Sequence, residues 1–193
     1  MVVMGVVLGG CASVPGNIDN ACVIFEDRGW YESSKKSYEK WGVPIHVQLA
    51  IIHQESKFRH DAKPPRERLF WFLPGPRPTT AFGYAQVLDG TWEWYQEKTG
   101  NHGADRDNYD DAVDFIGWYC NQTHKMLGIS KWDAKNQYLA YHEGQGGYRK
   151  KSYLKKSWLL GVADKVARNA KRYRAQLGKC RDELDSGGLR WFF

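Results

Sequence analysis

The sequence predicts a mainly helical domain, and three observations carry that expectation. Apolar residues recur at three- and four-residue spacing through most of the chain, with little alternation of period two. Helix punctuation falls between the apolar runs: Gly42, Gly100 and Gly128 as stops, Pro44 and Asp133 as starts. The 193 residues are 42% hydrophobic and include nine tryptophans, enough for one domain with a sizeable core and too apolar for disorder.

Residues 1–10 are almost wholly apolar and end in Leu8-Gly9-Gly10-Cys11. The run is too short to span a bilayer as a helix and matches the apolar core of a signal peptide. It resembles a bacterial lipobox, which implies that Cys11 is lipidated and becomes the first residue of the mature protein. No Lys or Arg precedes the run, a departure from the usual signal. Residues 11–19 then read as a flexible tether, 20–181 as the folded domain and 182–193 as a tail. With Cys11 taken by lipid, Cys22, Cys120 and Cys180 remain for an oxidising compartment, where disulfides persist. A Cys22–Cys180 bridge would pin the two ends of the domain together, and Cys120, in an apolar helix, reads as a small hydrophobe. Other pairings of the three stay open at this level.

The first helix is expected over residues 20–40, closed by Trp41-Gly42. Pro44 opens the second, where Ile45, Leu49 and Ile52 form an apolar stripe and Glu55 lies at the end of that face. A carboxyl on an apolar face has its charged form disfavoured, so its pKa rises toward what a general acid needs near neutral pH. The competing reading is a glutamate that turns out to water. Residues 62–78 mix prolines, arginines and the apolar run Leu69-Phe70-Trp71-Phe72-Leu73, which either lines a cleft, dips into a membrane or folds back on the core. Asp89 is expected to cap a helix that Gly100 ends, and Asp110 to begin one that Gly128 ends. Asp133 caps the helix of Tyr138, Tyr141 and His142. Ser157 caps a last helix with Val162, Val166, Tyr173 and Leu177 as its stripe.

The net charge of +6 and pI near 9.1 suit an acidic polymer, an anionic surface or nucleic acid. No helix-turn-helix, RNA-recognition or zinc-finger signature accompanies the charge, so nucleic acid is set aside. No C-x-x-C pair is present, and the aspartates near 105–107 lack the glycine and glutamate of a calcium loop, so no metal is expected. Aromatic content of 15% suggests rings lining a cleft or filling a core.

Three strings in order sharpen this. Ile52-His53-Gln54-Glu55-Ser56-Lys57-Phe58 resembles the Glu-Ser motif of lytic transglycosylases, the goose-lysozyme-like domains that cleave peptidoglycan. Ala81-Phe82-Gly83-Tyr84-Ala85-Gln86 is similar to that family's Gly-Leu-Met-Gln motif, and Leu139-Ala140-Tyr141-His142-Glu143-Gly144 to its Ala-Tyr-Asn-x-Gly motif. The resemblance spans roughly residues 22–177. It implies a lysozyme-like helical fold with at most a small β-hairpin near Gly83, beside the catalytic cleft. It implies Glu55 as the catalytic acid, with Ser56, Gly83, Tyr84, Gln86, Tyr141 and His142 as substrate-binding residues. His142 stands where Asn is usual, and Glu143 has no required role in the family. The implied substrate is peptidoglycan glycan strands, cut without cofactor or metal by a monomer anchored to a membrane of the periplasm, the outer one by expectation, through its lipid. The rivals are a lysozyme-type hydrolase on the same scaffold and a non-catalytic, lipid-anchored wall-binding protein.

Overall fold

Nine consecutive residues, 45–53, are buried in one helix. The chain, described here by a computed structural model over residues 14–69 and 73–186, is built around that helix. Seven α-helices are present among the described residues: α1 Ala21–Ile24, α2 Arg28–Trp41, α3 Ile45–Glu55, α4 Asp89–Thr99, α5 Tyr109–Leu127, α6 Ala134–Arg149 and α7 Ser157–Asp185. A 3-10 turn, Ser152–Lys155, joins the last two. The expected stripe on α3 proves too narrow. The helix is covered by α2, α5, α6 and α7, so even His46, Gln48 and His53 are enclosed. Gln48 meets part of the cost by donating from Nε2 to the Val43 carbonyl at 2.8 Å.

The expected helix over 20–40 is two helices. Asp27 breaks it, its carboxylate accepting from the Gly29 N–H at 3.0 Å and so capping α2. Gly42, Gly100 and Gly128 do stop their helices, each in left-handed backbone, and Asp133 does cap α6. Other caps shift. Leu88 precedes α4, and Asp89 sits inside the first turn, where a negative charge suits the helix dipole. Asn108 caps α5 by accepting from the N–H groups of Asp110 and Asp111, and the helix starts at Tyr109, one residue before Asp110. Ser157 makes no cap bond; Lys156 precedes α7. That helix runs beyond the expected boundary at Arg181. Leu184 is buried, and Asp185 accepts from the Tyr31 hydroxyl and from Lys35, both at 2.7 Å.

The hairpin is displaced from its expected place. Strands β1 Arg68–Leu69 and β2 Leu73–Pro74 pair antiparallel within the proline-rich segment. Near Gly83 there is only a turn closed by a single antiparallel bridge, Phe82 with Val87. The run Phe70-Trp71-Phe72 lies outside the described residues, as do Cys11 and the whole of the expected signal segment.

Cys22 and Cys180 form a disulfide joining α1 to α7. The same ends meet through Gln176, which accepts from the Ala21 N–H at 2.9 Å and donates to the Asp19 carbonyl at 3.1 Å. Residues 18 and 19, expected in the tether, are thus held on α7, where the Tyr173 hydroxyl also donates to the Ile18 carbonyl. Cys120 is a buried free thiol. Most rings fill the core: Trp30 stacks on Tyr109 at 4.1 Å, and Trp94 meets Trp118 edge-on at 4.5 Å. No helix among the described residues is long and apolar enough to cross a membrane.

Candidate active site

Helix α3 ends at Glu55, and the chain leaves it by an unusual route. Lys57 and Phe58 both take left-handed backbone, with φ of 53° and 61°, which residues bearing a Cβ seldom adopt. Burial of Phe58 holds them there, its ring stacked 6.0 Å from that of Trp30. The Ser56 hydroxyl donates back to the Ile52 carbonyl at 3.3 Å. The helix end is therefore fixed, and Glu55 is kept among protein groups. The Tyr138 hydroxyl of α6 faces its carboxylate. Burial pushes the Glu55 carboxyl up to about 7, against the downward pull of that hydroxyl.

A cleft of about 490 Å³ opens over Glu55. Phe115 and Tyr119 of α5 form one part of its lining, Tyr141, His142 and Gly144 of α6 another, and the segment from Thr79 to Thr91 the facing wall. Gly144 has φ 71° and ψ 158°, a conformation open almost only to glycine. It kinks α6 beside the cleft, and a Cβ there would meet nothing within 4 Å.

The facing wall is clamped from both sides. The Gly83 N–H donates to the Ala62 carbonyl at 3.0 Å, and the Tyr84 N–H to the Arg106 carbonyl at 3.2 Å. Arg106 donates to the carbonyls of Thr80 and Val87 and pairs with Asp89 at 2.7 Å. Gln86 gives both Nε2 hydrogens to backbone, to Ala62 and Gly83 at 2.8 Å each, which leaves its carbonyl oxygen for a ligand. The Tyr141 hydroxyl donates to the Ala85 carbonyl at 2.6 Å and ties the wall to α6. Gly83 is the hinge of this clamp. At φ 75°, a Cβ there would lie 2.0 Å from the Arg106 carbonyl oxygen, a backbone atom that cannot step aside. Gly83→Ala is expected to cost about 3 kcal/mol or more, read as a lower urea midpoint with unchanged m-value.

Three of the expected ligand residues are absent from the cleft lining. Ser56, Gly83 and Tyr84 are buried and shape the site from behind. Tyr84 lies edge-on to Trp30 and Tyr109, and its phenol, buried and near Asp27, is pushed up to about 12. The close backbone approach that Gly83 permits is to the loop at Arg106. Gln86, Tyr141 and His142 do line the cleft with Glu55.

Glu143 is a second carboxyl on the cleft lining, yet its side chain is only 4% exposed. Burial raises its pKa, but hydrogen bonds from Lys156, Ser152 and His142 outweigh that and hold it at about 2. Lys156 Nζ and His142 Nδ1 lie 2.6 and 3.0 Å from Oε1, and the Ser152 hydroxyl donates to Oε2. Both oxygens are engaged, so Glu143 acts as a permanent anion that orients His142 and holds the start of α7. The His142 ring also meets the exposed Trp158 at 5.3 Å, edge-on.

A carboxyl raised toward neutrality in a ring-lined cleft, with the second carboxyl held as an anion, is chemically able to act as a general acid. The chain matches the family described as Transglycosylase SLT domain over residues 1–180. It belongs to that family. The SLT domain accounts for the helical, lysozyme-like fold, and its family function is generally of the peptidoglycan-acting, lytic transglycosylase type. Comparison with curated proteins gives no match.

Motif resemblance alone gives no role to Tyr138, which faces Glu55 in this SLT domain. Tyr138 lies three residues before Tyr141, on the same helix face, and that spacing was the available signal. Phe115 and Tyr119, four residues apart on α5, carried the same kind of signal. Lys156 and Ser152 carried none, because their partner Glu143 reaches them only through the fold.

Proposed function

We propose that this SLT domain cleaves the β-1,4 bond between N-acetylmuramic acid and N-acetylglucosamine in peptidoglycan and leaves 1,6-anhydro ends. The observation that carries this reading is Glu55, the one cleft carboxyl held up to about 7 and so able to give and take a proton near neutral pH. Its proton goes to the bridging oxygen, which leaves as the 4-hydroxyl of N-acetylglucosamine. The substrate's acetamido group supports the charge at C1. Glu55, now a carboxylate, takes the proton of the muramoyl 6-hydroxyl as O6 bonds to C1. The proton returns to Glu55 and no water is consumed.

A hydrolase with two working carboxyls needs its second one free to reach water or sugar. Glu143 is enclosed and engaged at both oxygens, which favours the single-carboxyl route. Tyr138 and Tyr141 position the acid and the facing wall, and the carbonyl oxygen of Gln86 accepts from a sugar N–H or hydroxyl. The role in the cell is wall remodelling. The Cys22–Cys180 bridge supports export to an oxidising compartment, and with the Leu8-Gly9-Gly10-Cys11 string we propose a lipid-anchored, monomeric periplasmic protein.

Digestion of purified sacculi with residues 13–193, read by mass spectrometry, tests the chemistry. Muropeptides 18 mass units below the hydrolysis products are expected, as loss of one water defines the anhydro ring. Reducing ends alone would make the protein a hydrolase, and no release at all would make it a wall-binding protein.

A further inference from the structure

The cleft does not stop at the catalytic floor. A second hollow, of about 380 Å³, shares Thr79 and Ala81 with it, so a ligand over Glu55 continues into this end. Phe82 belongs to this lining, together with Lys63, Arg77 and Arg106. Among the described residues of this lining Asp89 is the only carboxylate, and Arg106 takes it at 2.7 Å while donating to two backbone carbonyls. Arg106 is therefore a structural cation, spent on the wall of the cleft.

Lys63 and Arg77 are different. Lys63 Nζ lies 4.8 Å from the Phe82 ring centre, and among the described residues it has neither hydrogen bond nor ion pair. Arg77 donates one nitrogen to the Pro64 carbonyl and forms no ion pair among the described residues. Both stand on stiffened backbone. Pro64-Pro65 follows Lys63, while Pro76 and Pro78 flank Arg77. Both are exposed and line one hollow without a paired anion, so an incoming anion is attracted by both.

The sugar backbone of a glycan strand is neutral once the lactyl carboxyl of its muramic acid is in amide linkage. Its negative charge sits on the peptide stem. We propose that this basic end binds the free carboxylates of the peptide stem, with Lys63 and Arg77 as the pairing cations, so that the enzyme favours peptide-bearing over peptide-free strands. The proposal rests on the peptidoglycan reading of the cleft.

The test is calorimetric binding to the catalytically silent Glu55→Gln protein, at low salt and at 0.15 M. Three tetrasaccharide ligands are compared: one with its stems, one with the stem carboxylates amidated, and one with the stems removed. The stem-bearing ligand is expected to bind about tenfold more tightly than either other at low salt, and less so at 0.15 M, as screening requires. In Lys63→Gln/Arg77→Gln that ratio is expected to fall to about one. Lys63→Gln alone, which breaks no hydrogen bond, is expected to take part of it. Equal binding of all three ligands overturns the proposal and leaves the peptidoglycan reading standing. A preference that survives the double substitution, or survives amidation, overturns it too. Binding of none of the three overturns the underlying reading, and the proposal falls with it.

Discussion

Glu55→Gln is expected to lower kcat on peptidoglycan by ~10³-fold or more, with KM changed little. The amide has the shape of the acid and no proton to give, so the loss falls on the bond-breaking step. In the native protein kcat/KM is expected to fall as pH rises through about 7, where Glu55 gives up its proton. The same substitution also reports on stability. Burial raises the folded-state pKa of Glu55 from 4.5 to about 7, so the folded protein holds this proton more tightly than the unfolded chain. The associated stability is present below pH 4.5 and is lost as pH rises through 7. A glutamine does not titrate. Glu55→Gln is thus expected to match the native protein in urea unfolding at pH 4 and to exceed it by roughly 2–3 kcal/mol at pH 8. Equal stability at both pH values would show that the carboxyl is not held in its acid form by burial.

The second large effect is on the fold. The bridge between Cys22 and Cys180 spans 158 residues, and the chain-entropy model assigns a loop of that length ~5 kcal/mol. Cys22→Ser/Cys180→Ser is expected to lower the melting temperature by roughly 10–20 °C. The remaining contacts of Gln176, Tyr173 and Arg172 with residues 18–21 keep the termini associated at low temperature. Activity at 20 °C is therefore expected to survive, because the bridge joins α1 to α7 and touches nothing in the cleft. A double variant that melts with the native protein would mean that those contacts, not the bridge, carry the closure. Loss of activity without loss of structure would mean that α7 transmits its position to the Lys156–Glu143–His142 chain.

Much of the helical plan was legible. Gly42, Gly100 and Gly128 stop helices because each adopts a left-handed conformation that glycine reaches without strain, a property of the residue itself. Asp133 caps because its short carboxylate reaches an N–H three residues on, again a local matter. The misreadings share a cause. Asp89 and Ser157 are equally good cap residues, but Asp89 is drawn to Arg106, a distant partner, and Lys156 takes the position before α7. Tyr84 looked like a sugar contact through its place in a motif. It faces Trp30 and Tyr109, which approach from two other helices. Which side of a turn meets the core is decided by what packs on it, and a linear string does not contain that.

The candidate site divides the same way. The sequence alone determined that a glutamate ends an apolar helix, that a Gly-Tyr-Ala-Gln turn and an Ala-Tyr-His-Glu-Gly segment follow in order, and that two cysteines stand near the ends of the domain. Only the tertiary structure decided what the two cleft carboxyls do. Glu55 is desolvated beside Tyr138, and burial raises its carboxyl to about 7. Glu143 is no better exposed, yet Lys156, Ser152 and His142 converge on it and its proton is gone. A carboxyl's pKa is set by the balance of lost water against nearby donors and charge, and the donors here come from segments that meet only when the chain has folded.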